Sequence, residues 1–527
     1  MRILVAEPVA SEGVELLRAH HDVDERHGLK PDELLAIIAD YDALVVRSQV
    51  QADAALIAAG TRLVVIGRAG VGVDNVDLDA ATRAGVTVVN APTGNTIAAA
   101  EHTLALLYAV ARRIASADAS VRRGEWKRAQ FTGLELRGRT LGIVGLGKIG
   151  LAIALRARAM EMTVIGVDPF VTAEQAANHG VELVEFDAML ERADVVTVHV
   201  PLTRTTRGLI GRDTLARMKP GAIVLNVARG GVLDEAAVAD ALASGQLSGA
   251  GIDVFEHEPP VGSPLLEAPN TILTPHLGAS TAEAQVLVSE EVAAQIIDVL
   301  DGRSARYAVN APLLTPETAR AIAPYLPLAE TLGRFFAQFS RGGVKTLTLE
   351  IAGELAEFDG APLTAAVLRG LLETATTERV NLVNAMALAK ARGIAVVERR
   401  TPDAGAFAAQ LTLSTETASG TTAVAGTVAG GEARLTRLDG YRLDMAPSEA
   451  MLITRHMDRP GTVGRIGLLL GAADVNISAM QLARSRPREG ALMILALDDD
   501  VPDGVVDAIR SDEAILDVWS IRLEGDR

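Results

Sequence analysis

"TLGIVGLGKIGLAIALRARAMEMTVIGVD", residues 140–168, decides the fold class of this 527-residue chain. An apolar run from Thr140 to Val144 leads into Gly145, Gly147 and Gly150. A helical pattern follows, and a second apolar run ends at Asp168. The G-x-G-x-x-G spacing alone is weak, because a turn between a strand and a helix needs no ligand. Strand, glycine turn, helix and second strand in that order make it specific. Glycines let the backbone turn tightly and approach a diphosphate, while Lys148 and Ile149 open a helix whose free N–H groups favour an anion. Asp168, 18 residues after Gly150, can accept from ribose hydroxyls and would repel a 2′-phosphate. NAD is therefore the expected cofactor.

Outward from this unit, the first 95 residues alternate apolar runs ("RILVAE", "DALVVRS", "RLVVIGRA", "VTVVN") with helical stretches ("SEGVELLRAH", "DELLAIIAD"). Such alternation predicts a parallel sheet with helices on both faces. One long helix is expected over 96–123 and another from about Ser280 to Leu300, both crossing between lobes. A substrate-binding domain of residues 1–95 plus 284–303 would then enclose a Rossmann domain of residues 96–283, with the cleft between them. Residues 304–446 predict an α+β module, with helices at 328–339 and 377–393 and several strands. Residues 451–527 read as strand, helix, two strands, helix, strand, the ferredoxin-like βαββαβ order. The expected class is α/β: two Rossmann-like lobes with parallel sheets, then an α+β module and a ferredoxin-like domain.

Composition bounds the function. Apolar residues make up 49% and charged residues 22%, as in packed domains. A net charge of −17 opposes non-specific binding to nucleic acid or an anionic membrane, so an anionic ligand needs a local cluster of cations. Absence of cysteine removes disulfides, thiol nucleophiles and Cys-ligated zinc. The amino terminus "MRILVAEPVA" lacks the basic and apolar stretches of a signal peptide, and the cytoplasm is the expected compartment.

Three later segments end an apolar strand on a polar residue: "AIVLNVARGG" on Arg229, "GIDVFEHEPP" on Glu258, and "TILTPHLGAS" on His276. Strand carboxyl ends are where open α/β sheets bind ligands. Singly, each has an ordinary explanation: a surface arginine, a solvated acid, a capping histidine. After a nucleotide unit they fit one task. Hydride transfer between nicotinamide and an alcohol or ketone needs an acid/base for the hydroxyl proton, a cation for the neighbouring carboxylate, and a group that orients the base. Histidine, arginine and glutamate supply these in turn. Glu256 and His257 read as solvated turn residues, and no metal is expected.

"GLGKIG", "LNVARGGVLDE", "DVFEHEPP" and "TPHLGAS" together resemble the signature segments of the D-isomer-specific 2-hydroxyacid dehydrogenases, over about the first 300 residues. The resemblance implies a two-lobed, oligomeric enzyme in which Arg229 binds the substrate carboxylate, His276 is the acid/base and Glu258 supports it. It implies that Asp253 lies near the nicotinamide carboxamide, and that Val71, Val200, Val227, Ala228, Leu277, Gly278 and Ala279 contact NAD. Arg47, Ser48, Gly70 and Asn95 would face the substrate. A phosphorylated substrate would need extra cations, for which Arg47, Arg68, Arg122, Arg123, Lys127 and Arg128 are candidates, Lys127 being counted with the substrate residues. A solvated helix end explains the "VRRGEWKRAQ" cluster as well, and beside it Trp126 suits a subunit contact.

The tail "RHMDRPGTVGRIGLLLGAADVNISAMQLAR" resembles the ACT regulatory domain, with Pro460 suited to the first helical turn and Gly461 and Gly464 to close approach. By that resemblance Asp458 and Asn476 would bind serine across an interface between two ACT domains, although His456 stands where another aromatic is expected. A dehydrogenase with such a tail resembles the branch that oxidises D-3-phosphoglycerate to 3-phosphohydroxypyruvate, the first step of L-serine synthesis. The alternatives are a glycerate or hydroxypyruvate reductase and an NADH-sensing co-repressor of the same fold.

Overall fold

The computed structural model describes residues 1–312, 316–340, 343–373, 375–376, 378–417, 420–484 and 486–523. Its first sheet has the strand order Asp22–Glu25, Arg2–Val5, Ala43–Val46, Val65–Arg68, Thr87–Asn90, all parallel. The second sheet runs Glu182–Leu183, Thr163–Val167, Thr140–Val144, Val195–Val198, Ala222–Asn226, Leu247–Ile252, Thr271–Leu273, again all parallel. Strands such as Ala43–Val46 and Val195–Val198, apolar but for Thr197, are buried at every position, as helices on both faces require. Each order reverses once, between Arg2–Val5 and Ala43–Val46 and between Thr140–Val144 and Val195–Val198. Ligand crevices open outside the strand carboxyl ends at such reversals, and here the two crevices face one cleft.

Helix Thr96–Ala111 packs Leu104, Leu107 and Val110 into the core of the second sheet. Helix Ala282–Leu300 packs Val288, Val292 and Ile296 against the first. The chain then continues along the first sheet past Arg303: Val309 N–H donates to Val88 O (2.7 Å), and Asn310 Oδ1 accepts from Val88 N–H (2.8 Å). The expected single helix over 96–123 is two helices, Thr96–Ala111 and Ile114–Arg122. Arg113 takes a left-handed φ of 53° between them, and the Ala111 carbonyl accepts from Leu134 N–H at 3.0 Å rather than continuing the helical ladder.

The third sheet has the order Ala395–Thr401, Thr346–Gly353, Ala409–Thr417, Gly420–Ala429, Glu432–Leu438, Tyr441–Met445, parallel in its first pair and antiparallel beyond. Helices Leu326–Phe339 and Ala361–Glu373 cover it; the second of these was not anticipated. The helix expected over 377–393 is confined to Ala385–Ala391, and its expected first residue lies outside the described residues. Asn381 and Asn384 cause the shortening. Asn381 Oδ1 accepts from the N–H groups of Val383 and Asn384, and Asn384 Oδ1 accepts from Asn381 N–H, so the turn replaces helical bonds.

The fourth sheet, Ile477–Arg484, Gly490–Leu497, Ala450–Met457, Ile515–Arg522, is antiparallel and carries helices Thr462–Ala472 and Asp503–Arg510 on one face. This is the βαββαβ arrangement; residues 524–527 of the expected domain lie outside the described residues. Pro460 precedes the helix rather than entering its first turn, and Gly461 takes the capping position at φ 91°. The sheet's other face shares a core with helix Leu326–Phe339, where the Phe339 and Trp519 ring centroids stand 4.7 Å apart.

Candidate active site

One cleft between the two lobes is lined by Arg47, Ser48, Arg68, Gly70, Val71, Asn95, Ile149, His199, Val200, Val227, Ala228, Arg229, Glu258, His276, Gly278 and Ala279, among others. Residues more than 200 positions apart meet there because both sheets present their carboxyl ends to it.

On the dinucleotide side, Gly145 turns at φ 95°, and a Cβ on Gly150 would stand 2.1 Å from the Gly145 carbonyl, so the helix can start this close to the turn only with glycine. A Cβ on Gly147 would meet nothing within 4 Å, which leaves open space over the turn. Lys148 opens helix Lys148–Ala159 and places its ammonium over the Tyr307 ring. Asp168, at the end of strand Thr163–Val167, accepts from Leu146 N–H and Phe170 N–H (both 2.8 Å), which fixes its carboxylate beside the turn.

On the catalytic side, His276 Nδ1 lies 2.9 Å from Glu258 Oε2, leaving Nε2 for the cleft. Glu258 Oε1 accepts from Phe255 N–H (3.1 Å). Burial pushes the Glu258 carboxyl up, but the hydrogen bond and charge of His276 outweigh it and hold it below the usual range. His276 has a left-handed φ of 55°, a strained conformation for this residue type, and donates its backbone N–H to Asp253 O at 2.8 Å. Arg229 Nε donates to Asp74 Oδ2 (3.0 Å), reaching across to the substrate lobe. Gly230 keeps this loop against Phe255, whose carbonyl a Cβ would meet at 1.8 Å.

Asp253 is fully buried, behind the cleft-lining Gly278, from whose N–H it accepts. Its carboxylate accepts from Thr274 Oγ1 (2.6 Å) and from the N–H groups of Leu277 (2.7 Å) and Gly278 (2.9 Å), and it lies 3.1 Å from His102 Nε2. Burial would raise its pKa, but these bonds and the His102 charge keep it below the ordinary value. Asp253 therefore holds the loop that carries His276.

Lys127 does not reach this cleft; it pairs with Glu125 at 3.5 Å, and Arg122 and Arg123 pair with Asp118 and Glu125. The cations that do face the cleft are Arg47, Arg68 and Arg229. Burial first, then the neighbouring positive charge of Arg229, brings Arg68 down to about 10. Sequence reasoning passed over Glu7, whose carboxylate accepts from the N–H groups of Arg47 (2.6 Å), Gln49 (3.0 Å) and Val50 (3.1 Å) and so shapes the Arg47 loop. It also passed over His199. The available signal was the same for both: a polar residue just past an apolar strand. Three buried polar atoms on cleft residues lack a hydrogen-bond partner: Arg68 Nε, Asn95 Oδ1 and His199 Nδ1. Buried groups of this kind ordinarily find partners, so the cleft is built to receive a polar ligand. Together with the open space over Gly147 and the fixed Asp168, they fit a dinucleotide.

In the fourth sheet, Asp458 accepts from Arg488 N–H (3.0 Å) and Arg484 Nη1 (3.2 Å), which lower its pKa, and Asn476 Nδ2 donates to Asp498 (2.6 Å). The two residues sit at opposite ends of strand Ile477–Arg484, about 25 Å apart at some 3.3 Å per residue. One chain does not bring them together. His456 is a core residue, buried and held below its ordinary pKa by that burial.

Three family models match the chain in order. They are the NAD binding domain of the D-isomer specific 2-hydroxyacid dehydrogenases at residues 104–278, the D-3-phosphoglycerate dehydrogenase intervening domain at 321–439, and the ACT domain at 450–514. A D-3-phosphoglycerate dehydrogenase of Synechocystis sp. is 45% identical over 524 residues, covering 99% of this chain and 95% of that one. One of Archaeoglobus fulgidus is 41% identical over 527 residues, covering 99% and 100%. Among solved structures, a Thermus thermophilus protein is 37% identical with a TM-score of 0.55, covering 59% of this chain and 100% of that one. An NAD-dependent formate dehydrogenase of Staphylococcus aureus in complex with NAD is 28% identical with a TM-score of 0.53, covering 57% and 96%.

Proposed function

The chain belongs to the D-3-phosphoglycerate dehydrogenase family, and from that premise we propose that its cleft oxidises D-3-phosphoglycerate to 3-phosphohydroxypyruvate with NAD and runs the reverse reduction. The observation that carries the reading is His276 oriented by Glu258 at 2.9 Å, beside Arg229, at the carboxyl edge of a dinucleotide sheet.

The Gly145–Gly150 turn and Asp168 would hold NAD, which would supply the acceptor for the hydride on the substrate's C2. As that C–H bond breaks, His276 Nε2 removes the hydroxyl proton, and Glu258 at Nδ1 stabilises the charged imidazole. Arg229 holds the carboxylate next to the reacting carbon and polarises the forming carbonyl. Arg47, Arg68, Ser48 and Asn95 also line the cleft and would take the far end of the substrate with its phosphate. Partly buried cations at this spot would overcome, locally, the −17 charge of the chain.

Serine is the proposed effector at Asp458 of one ACT domain and Asn476 of a second, because only a second copy can bring these residues together. Tyr108, Ile114, Val121 and Trp126, all exposed on or beside helices Thr96–Ala111 and Ile114–Arg122, offer an apolar face for that homo-oligomer.

His276→Ala should lower D-3-phosphoglycerate-dependent NAD reduction by roughly 10²–10⁴-fold while NADH still binds. Undiminished turnover in that variant contradicts the assignment. Serine inhibition lost in Asp458→Ala, with basal turnover retained, is expected if the effector site is as proposed.

A further inference from the structure

The second sheet reverses its strand order between Thr140–Val144 and Val195–Val198. The residue after the first strand is Gly145, the start of the phosphate turn. The residue after the second is His199. It lines the cleft, its backbone N–H donates to Val144 O (2.7 Å), and its carbonyl would stand 2.5 Å from a Cβ on Gly145. On its other side runs strand Ala222–Asn226, which leads into Val227, Ala228 and Arg229. His199 thus stands between the phosphate turn and the catalytic arginine.

Its hydrogen bonds fix its tautomer. Nε2 lies 2.8 Å from Thr197 Oγ1, a fully buried hydroxyl with no other partner among the described residues. If Thr197 donates, its hydroxyl and Nε2 are both satisfied and only Nδ1–H is left over. If Nε2 donates instead, the hydroxyl hydrogen and the Nδ1 lone pair are both left over. Fewer unmet buried groups favour the first arrangement. Burial brings the imidazole down to about 3, so it is neutral at ordinary pH and its one proton rests on Nδ1. That N–H is buried and has no acceptor among the described residues.

We infer that His199 is a cofactor-binding residue whose Nδ1–H donates to a ribose or phosphate oxygen on the nicotinamide side of the dinucleotide. This rests on the NAD-dependent reading of the cleft. The adenosine half is assigned to Asp168, whose strand Thr163–Val167 lies on the opposite side of Thr140–Val144 from His199. The stretch that must cross His199 is the one from the diphosphate to the reacting ring. A neutral donor suits it, because it adds no charge beside the diphosphate and the reacting ring.

The test is calorimetric binding of NADH, ADP-ribose and AMP to the full chain and to two variants. His199→Phe keeps a ring without a donor; His199→Asn sets an amide N–H the same number of bonds from Cα as Nδ1. The phenylalanine variant should bind NADH and ADP-ribose about tenfold more weakly, the loss of one buried hydrogen bond, and AMP unchanged. The asparagine variant should recover most of that loss. Unchanged NADH and ADP-ribose affinity in His199→Phe overturns the inference, and so does an equal loss for AMP, which would signal damaged packing. Failure of the unaltered protein to bind any of the three overturns the NAD reading itself.

Discussion

Asp253, fully buried, and His199, half-buried with its Nδ1 atom enclosed, are two titratable residues whose pH behaviour separates their roles. Asp253, ordinarily near 3.8, is held lower by His102, Thr274 and Leu277 N–H despite its burial. Its contribution to stability is therefore in place above about pH 3.8 and is lost only as pH falls through its lower folded value. His199 is the opposite case. Its ordinary value is 6.5 and its folded value about 3, so the unfolded chain binds a proton that the folded chain refuses. Stability should fall as pH drops below 6.5, with a limiting slope of about 1.4 kcal/mol per unit from this residue. Urea unfolding at several pH values should show that slope reduced in His199→Phe; an unchanged acid limb would refute the burial of the imidazole. Asp253→Asn should destabilise by about 2–4 kcal/mol, because an amide cannot accept from every donor now facing the carboxylate. It should also lower turnover by releasing the His276 loop, and full activity in that variant would contradict the holding role. Arg229, Glu258 and His276 were legible as polar residues closing apolar strands. His199 and Glu7 carried the same signal but were passed over, because an unsatisfied Nδ1 or a carboxylate gathering three N–H groups exists only once the chain is folded.

At the scale of elements, the parallel strands and the βαββαβ order could be read directly, since runs such as "ALVV" and "AIVL" are apolar throughout and turn residues bound them. Helix ends were harder to read. Nothing in "AVARRIAS" announces the break at Arg113; the Gly133–Leu134 segment, some 20 residues away, imposes it through the Ala111 carbonyl. The helix expected over 377–393 is cut short by Asn381 and Asn384, and Asn381 Nδ2 also donates to Gly85 O (2.7 Å) in the first lobe. That contact joins the intervening module to the substrate lobe, and no local pattern encodes it. The shared core under the ACT sheet gives a direct prediction. Phe339→Ala should destabilise the carboxyl-terminal half by about 3–5 kcal/mol and split its melting transition in calorimetry, because Phe339 and Trp519 bridge the two modules. A single unshifted transition would show that the modules do not depend on this contact.

The whole molecule sets a strongly acidic chain around a cleft whose lining cations are Arg47, Arg68 and Arg229. Fold class and cofactor were readable from one βαβ unit, while the choice among 2-hydroxy acids depends on cations gathered from three separated loops. For this reason the sequence left Arg47, Arg68 and the contiguous "VRRGEWKRAQ" cluster as equal candidates, and only the fold shows that Arg47 and Arg68 line the cleft. Charge-assisted bonds from such cations contribute about 1.5–3 kcal/mol each. The most direct measurement is therefore NADH oxidation with 3-phosphohydroxypyruvate and with hydroxypyruvate, side by side on the same preparation. The phosphorylated ketoacid should show a kcat/KM at least about 100-fold higher, the equivalent of one or two such bonds; equal or faster use of hydroxypyruvate would contradict the assignment of the cleft.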